Sequence, residues 1–120
     1  MSMIENPQLA HLAYFLDLAS TRYRVLASNI ANVDTPGYRT RDINFRQALQ
    51  RAITDPEPYM LPPAARPVQG LVERPDGNNV NPDREALLLA ETQLQFRLGV
   101  ELVRAEFRRL STAINEGRTT

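Results

Sequence analysis

Ser28-Asn29-Ile30-Ala31-Asn32-Val33-Asp34-Thr35-Pro36-Gly37-Tyr38, continuing into Arg39-Thr40-Arg41-Asp42-Ile43-Asn44-Phe45, is where the chain must change direction. Pro36 has no backbone N–H and forces Thr35 into an extended conformation, so a helix arriving from upstream stops here. Asn32 and Asp34 suit a helix end, because their short side chains bond nearby backbone. Pro36 and Gly37 fit the two central positions of a type II turn, the second of which needs φ > 0.

On either side of this stop the apolar spacing is helical. Upstream, Asn6 and Pro7 form a helix start, a capping amide followed by proline at the first helical position. Leu9, Leu12, Leu16, Ala19, Tyr23, Leu26, Ile30 and Val33 then recur at alternating steps of three and four, the pattern of a coiled-coil seam. A helix from Pro7 to about Asn32 is about 39 Å long at 1.5 Å per residue. Tyr14, Leu18 and Val25 lie on its opposite face, so it has a second neighbour to meet.

Downstream, Asn81 caps a helix that opens at Pro82 or Asp83, with Asp83 and Glu85 favourable at the positive end of its dipole. Two apolar faces follow. Phe96, Val100, Val103, Phe107, Leu110 and Ile114 make one; Leu87, Leu94, Leu98, Leu102 and Ala105 make the other, about 180° away. Glu101 attracts Arg104 three residues on, and Asn115 and Gly117 predict the helix end.

Between the helices, residues 33–86 hold eight of the nine prolines and read as extended chain and turns, with short strands expected near Arg39–Phe45 and Val68–Val72. The fold class is therefore mainly α: two long terminal helices in an antiparallel coiled-coil-like hairpin, joined by an extended, irregular or short-β segment. Residues 1–38 and 82–120 would form one discontinuous helical domain and 39–81 the central segment. A two-helix hairpin buries one stripe per helix. Each large apolar side chain left in water forfeits about 1.5–3 kcal/mol, so the surplus stripes favour oligomerisation. The alternative is a compact bundle whose central segment covers the second faces.

Composition narrows the chemistry. The 120 residues carry no net charge, which removes any broad attraction to nucleic acid. All 14 basic residues are arginine; the missing lysine excludes a P-loop, and the missing cysteine excludes disulfides and thiol catalysis. The lone His11 supports neither a catalytic triad nor a metal site. Glu101 and Glu106 among Arg104, Arg108 and Arg109 read as ion pairs on a helix surface. Met1-Ser2-Met3-Ile4-Glu5-Asn6 has no basic residue and no cleavage-type end, so no cleaved Sec signal is expected. No enzyme, cofactor or small-molecule substrate is implied.

Asn-Ile-Ala-Asn-x-x-Thr-x-Gly-Tyr, carried here by Asn29, Ala31, Asn32, Thr35, Gly37 and Tyr38 with Pro36 between, resembles the N-terminal signature of the flagellar rod and hook proteins. Asp76-Gly77-Asn78-Asn79-Val80, shortly before Glu85, agrees with it; only residues 50–75 have no counterpart. The resemblance implies a structural subunit of the proximal rod in the basal body, within the periplasmic space. Copies of the chain and other rod proteins would stack helically into a tube, next to a membrane-ring/rod adaptor. By the same resemblance the stripes Leu9–Val33 and Phe96–Ile114 form the intrachain coiled coil. Tyr14, Leu18, Val25, Leu94, Leu98 and Leu102 then meet neighbouring subunits. The Asn29–Tyr38 turn sets the direction of the arm that follows. Uncleaved export through the flagellar type III apparatus is implied as well. Phe45-Arg46-Gln47-Ala48-Leu49 resembles a Phe-x-x-x-apolar motif that engages the export gate. Phe45 and Leu49 read equally well as packing residues one helical turn apart. A soluble helical adaptor or chaperone-like module, its second faces binding a partner helix, is the alternative of another class.

Overall fold

A computed structural model describes residues 6–54 and 61–119. Its elements in order are α1 (Pro7–Ala31), β1 (Arg41–Asp42), α2 (Phe45–Thr54), β2 (Arg66–Pro67) and α3 (Pro82–Thr119). The molecule measures 71 × 26 × 17 Å with a radius of gyration of 18.6 Å. A compact chain of this length has a radius near 14 Å. The helix pair therefore sets the shape.

α1 begins as its sequence requires. Asn6 Oδ1 accepts from Leu9 N–H at 3.2 Å, and Pro7 occupies the first helical position. The helix closes on Asn32, whose N–H donates to the carbonyls of Ser28 and Asn29. α3 starts behind Asn81, whose Oδ1 accepts from the N–H groups of Asp83 and Arg84 at 3.1 and 3.2 Å. It does not stop at Asn115 or Gly117 but continues to Thr119. Among the described residues no helix is long and apolar enough to cross a membrane. Met1–Glu5, the segment read for a Sec-type signal, lies outside the described residues.

The two long helices pack antiparallel. Asn29 meets Glu85, Phe15 and Leu16 crowd Gly99, and Asn6 reaches Glu106. On α1, Leu9, Ala19 and Leu26 of the expected seam are buried; Leu12, Leu16, Ile30 and Val33 are half-buried, and Tyr23 is exposed. The α3 side corrects the sequence reading. Its inward row is Glu85, Thr92, Gly99 and Glu106, spaced by seven and all buried. A Cβ on Gly99 would stand 2.6 Å from Leu16 Cδ2 and 2.9 Å from Phe15 Cδ1. Small and polar residues thus let the helices approach where the apolar stripes were expected to mesh. The stripe Phe96–Ile114 flanks the contact instead: Val100, Val103 and Leu110 are half-buried, while Phe96, Phe107 and Ile114 are exposed.

The central segment is less extended than its prolines suggest. β1 and β2 pair antiparallel, Arg41 opposite Pro67 and Asp42 opposite Arg66. The second strand therefore precedes Val68–Val72. Phe45–Thr54 is a helix that the sequence reading missed. Asn44 serves its start, with Oδ1 accepting from Gln47 N–H at 3.0 Å. α2 buries Ala48 and Ala52 and lies along α1. With Ile43 it covers Leu18, and Tyr14, Phe45, Leu49 and Ala65 pack around that cluster.

Candidate functional site: the signature turn and the uncovered helix face

The signature turn is built around Asn29, the last buried residue of α1. Its Nδ2 donates to Arg41 C=O at 2.7 Å and to Glu85 Oε2 at 3.0 Å. Its Oδ1 accepts from Tyr38 O–H at 3.0 Å and from Arg41 N–H at 3.1 Å. One buried amide thus binds α1 to the turn, to the outer edge of β1 and to α3. Because it pairs both backbone groups of Arg41, it does the work of a neighbouring strand. Glu85 is fully buried, and Arg84 holds its other oxygen at 2.7 Å. Buried charge requires such partners.

The turn itself has the expected geometry. Tyr38 N–H donates to Thr35 C=O at 3.2 Å, and Gly37 has φ +75°. Asn32 braces the turn from the helix side. Its Nδ2 donates to Ser28 C=O at 2.8 Å and its Oδ1 accepts from Thr35 Oγ1 at 3.0 Å. Ala31, Pro36 and Gly37 are exposed. Beyond the turn, Arg22 and Asp42 form a two-pronged ion pair at 3.0 Å for each bond, fixing β1 to α1. Asp42 Oδ1 also accepts from Ile43 N–H at 2.8 Å.

Segment 74–80 seats against this turn. Gly37 N–H donates to Asp76 C=O at 2.9 Å, and Asn79 N–H to Tyr38 C=O at 3.3 Å. Asn79 Oδ1 accepts from Thr40 N–H at 2.6 Å. Gly77 backs onto Gly37, where a Cβ would stand 3.4 Å from Gly37 Cα. As sequence, the string Asp76–Val80 carries no specific sign of this structural task. The density of Asn and Gly before a helix start was the only local signal.

The proposed contact residues fall into two groups. Leu18, expected to face a neighbour, is fully buried within its own chain; Tyr14 and Val25 are half-buried. α2 and β1 occupy the face these residues line. Burial, together with the charge of Asp17, pushes the Tyr14 hydroxyl up from its ordinary pKa, and Arg51 opposes this. On α3 the result is opposite: Leu94, Leu98 and Leu102 are 64%, 56% and 44% exposed. Phe45 and Leu49 are half-buried against the Leu18 cluster, and the Phe45 ring meets Phe15 edge-on at 5.5 Å. In the folded chain they form a packing pair.

The far end of the helix pair is held by polar contacts. Glu106 accepts from Arg109 at 2.5 Å and from Asn6 Nδ2 at 3.4 Å. The Arg109 guanidinium holds the Glu106 carboxyl below the usual carboxylate range, burial opposes, and Asn6 adds to the lowering. No group of His, Asp and Glu suited to holding a metal occurs among the described residues.

Residues 16–39 match the family described as "Flagella basal body rod protein", a segment that spans the second half of α1 and the whole turn. The chain is 30% identical over 122 positions to the flagellar basal body rod protein FlgB of Escherichia coli (strain K12), covering 85% of this chain and 88% of that protein. It is 32% identical over 115 positions to FlgB of Aeromonas hydrophila, covering 84% and 87%. Against FlgB of Salmonella typhimurium it is 30% identical over 122 positions, with 85% and 88% covered. The signature, the clasped turn and this near full-length similarity agree, and the chain belongs to the FlgB family of flagellar basal body rod proteins.

Proposed function

We propose that this chain is a structural subunit of the proximal rod that assembles helically, with copies of itself and other rod proteins, into the drive-shaft tube. The uncovered row Leu94, Leu98 and Leu102 carries the reading. A monomer gains nothing by leaving three large apolar side chains on one helix face, and each forfeits about half of the roughly 1.5–3 kcal/mol of full burial until something covers it. A neighbouring rod subunit is the cover that suits a member of this family. The helix pair, residues 1–38 and 82–120, is the inner part of the tube, and residues 39–81 are the arm directed at adjacent subunits. The membrane-ring/rod adaptor lies at its base.

Passage through the flagellar type III apparatus is part of the same proposal. If Phe45 and Leu49 engage the export gate, they do so before the Leu18 cluster has formed, because folding gives both side chains to that cluster.

The test is Leu98→Asp expressed in the parent bacterium in place of the natural chain. The variant is expected to leave the cytoplasm in normal amount, to be missing from purified basal bodies and to abolish swimming. Normal incorporation and normal swimming overturn the assignment of this face.

A further inference from the structure

α2 turns Ala48 and Ala52 inward, and its opposite face carries Arg46, Gln50 and Ile53, all exposed. Ile53 is 67% exposed. Steps of four and three put these residues on one side of the helix. On α3, Glu91, Leu94 and Leu98 share one side by steps of three and four, and all are exposed. Asp83 and Leu87, also exposed, continue that row towards the helix start.

The two rows are opposite in charge. Among the described residues none of Arg46, Asp83 and Glu91 takes part in a salt bridge. Arg84 is engaged by Glu85 at 2.7 Å, and Arg97 lies about 100° round the helix from Leu98. The α3 row is thus apolar and acidic, and the α2 row apolar and basic. They do not meet within one chain, because α2 packs on α1 and does not reach α3. We infer that the Arg46–Ile53 face of α2 in one copy covers the Glu91–Leu98 face of α3 in a second copy.

The inference rests on the reading that the Leu98 face is covered in the rod, and it names the cover. Laid parallel, Arg46 meets Glu91, Gln50 lies over Leu94 and Ile53 over Leu98. Both helices advance seven residues, about 10.5 Å, from the first of these to the last. The same orientation turns the N-terminal end of α2, which has no acidic residue in its own first turn, towards Glu91 and Asp83. Carboxylates are favourable at that end of a helix dipole. Reversed, with Ile53 on Leu94, Arg46 would fall at Glu101, which Arg104 already holds at 2.9 Å. The contact joins two different surfaces, so each copy offers α2 to one neighbour and α3 to another. Such an arrangement builds a ring or an open helix rather than a closed pair.

A charge exchange tests the contact, with each variant expressed in the parent bacterium in place of the natural chain. Arg46→Glu and Glu91→Arg each set like charges together and are expected to lower the amount of this chain in purified basal bodies about tenfold. The two changes combined on one chain restore opposite charges at every such contact, so incorporation and swimming are expected to return. Where a charge variant loses its helical circular dichroism, cross-linking decides. Gln50→Cys with Leu94→Cys on one chain, oxidised in isolated basal bodies, is expected to give dimers and higher multiples of the chain, which neither cysteine alone gives. A combined charge variant that incorporates no better than the single ones, single variants that incorporate normally, or paired cysteines that give no multiples overturn the inference. If Leu98→Asp still blocks incorporation in that event, another surface covers the face; if Leu98→Asp incorporates normally, the reading beneath the inference falls with it.

Discussion

The two long helices carry the same kind of sequence, a seam stripe and a second apolar face, yet they end with opposite surfaces. The second face of α1 is closed by its own chain: α2 and Ile43 cover Leu18 until nothing of it is exposed. The second face of α3 is bare from Leu87 to Leu102. A single central segment can lie along only one helix, and here β1 and α2 lie along α1. The contrast divides the apolar surface by task. The covered face holds the monomer together, and the bare face is the one proposed to meet neighbouring subunits.

The sharpest way to break this contrast is a matched pair of truncations. Leu18→Ala leaves a cavity in a fully enclosed site, and Leu→Ala changes of that kind cost about 2–5 kcal/mol. Against a total stability of about 5–15 kcal/mol this shifts the urea midpoint strongly. Leu98→Ala should stay within about 0.5 kcal/mol of the natural chain, as surface changes do. Equal shifts for the pair would erase the distinction between the faces.

Asn29→Ala should rank just below Leu18→Ala. It strands the Tyr38 hydroxyl, both backbone groups of Arg41 and one oxygen of Glu85, and each buried group left unpaired costs about 1–3 kcal/mol. A loss of about 3 kcal/mol in denaturant unfolding is expected, since some of these groups will find water. Gly99→Ala comes next. The added methyl overpacks Phe15 and Leu16, a cost of about 1–3 kcal/mol, while better helix propensity returns up to about 1 kcal/mol. The net expectation is a modest destabilisation by thermal melting. A more stable variant would show that the close approach of α1 and α3 is dispensable.

The smallest effect concerns Glu106 at the far end. Its folded carboxyl titrates below its unfolded value of about 4.3, so its ion pair adds stability above that pH and loses it as pH falls through the folded value. The melting temperature of the natural chain should exceed that of Glu106→Gln slightly at pH 7, and the difference should fade in acid. A difference that grows on acidification would contradict the assignment.

How much of this was legible in the sequence follows from where each signal resides. The caps Asn6 and Asn81, the Pro36 stop and the left-handed Gly37 are local, and they appear as read. α2 escaped because Phe45–Thr54 is only ten residues long and lies in a proline-dense stretch, although Asn44 and the Phe45–Leu49 spacing mark its first turn. The seam of α3 escaped for a different reason. Glu85, Thr92, Gly99 and Glu106 recur every seven residues, but a search for apolar stripes passes over a row of polar and small residues. Leu18 was assigned outward because periodicity gives the faces of a helix, not what covers them. Asn78 and Asn29 satisfy groups 40 or more residues away, and no local pattern announces such partners.

The central claim is that the Leu98 face of α3 is open in the free chain and covered in the rod. Because the chain has no cysteine, Leu98→Cys supplies a unique thiol whose maleimide labelling rate reports that cover directly. The account predicts rapid labelling of the purified monomer and at least tenfold slower labelling in isolated basal bodies. Equal rates in the two states would contradict it.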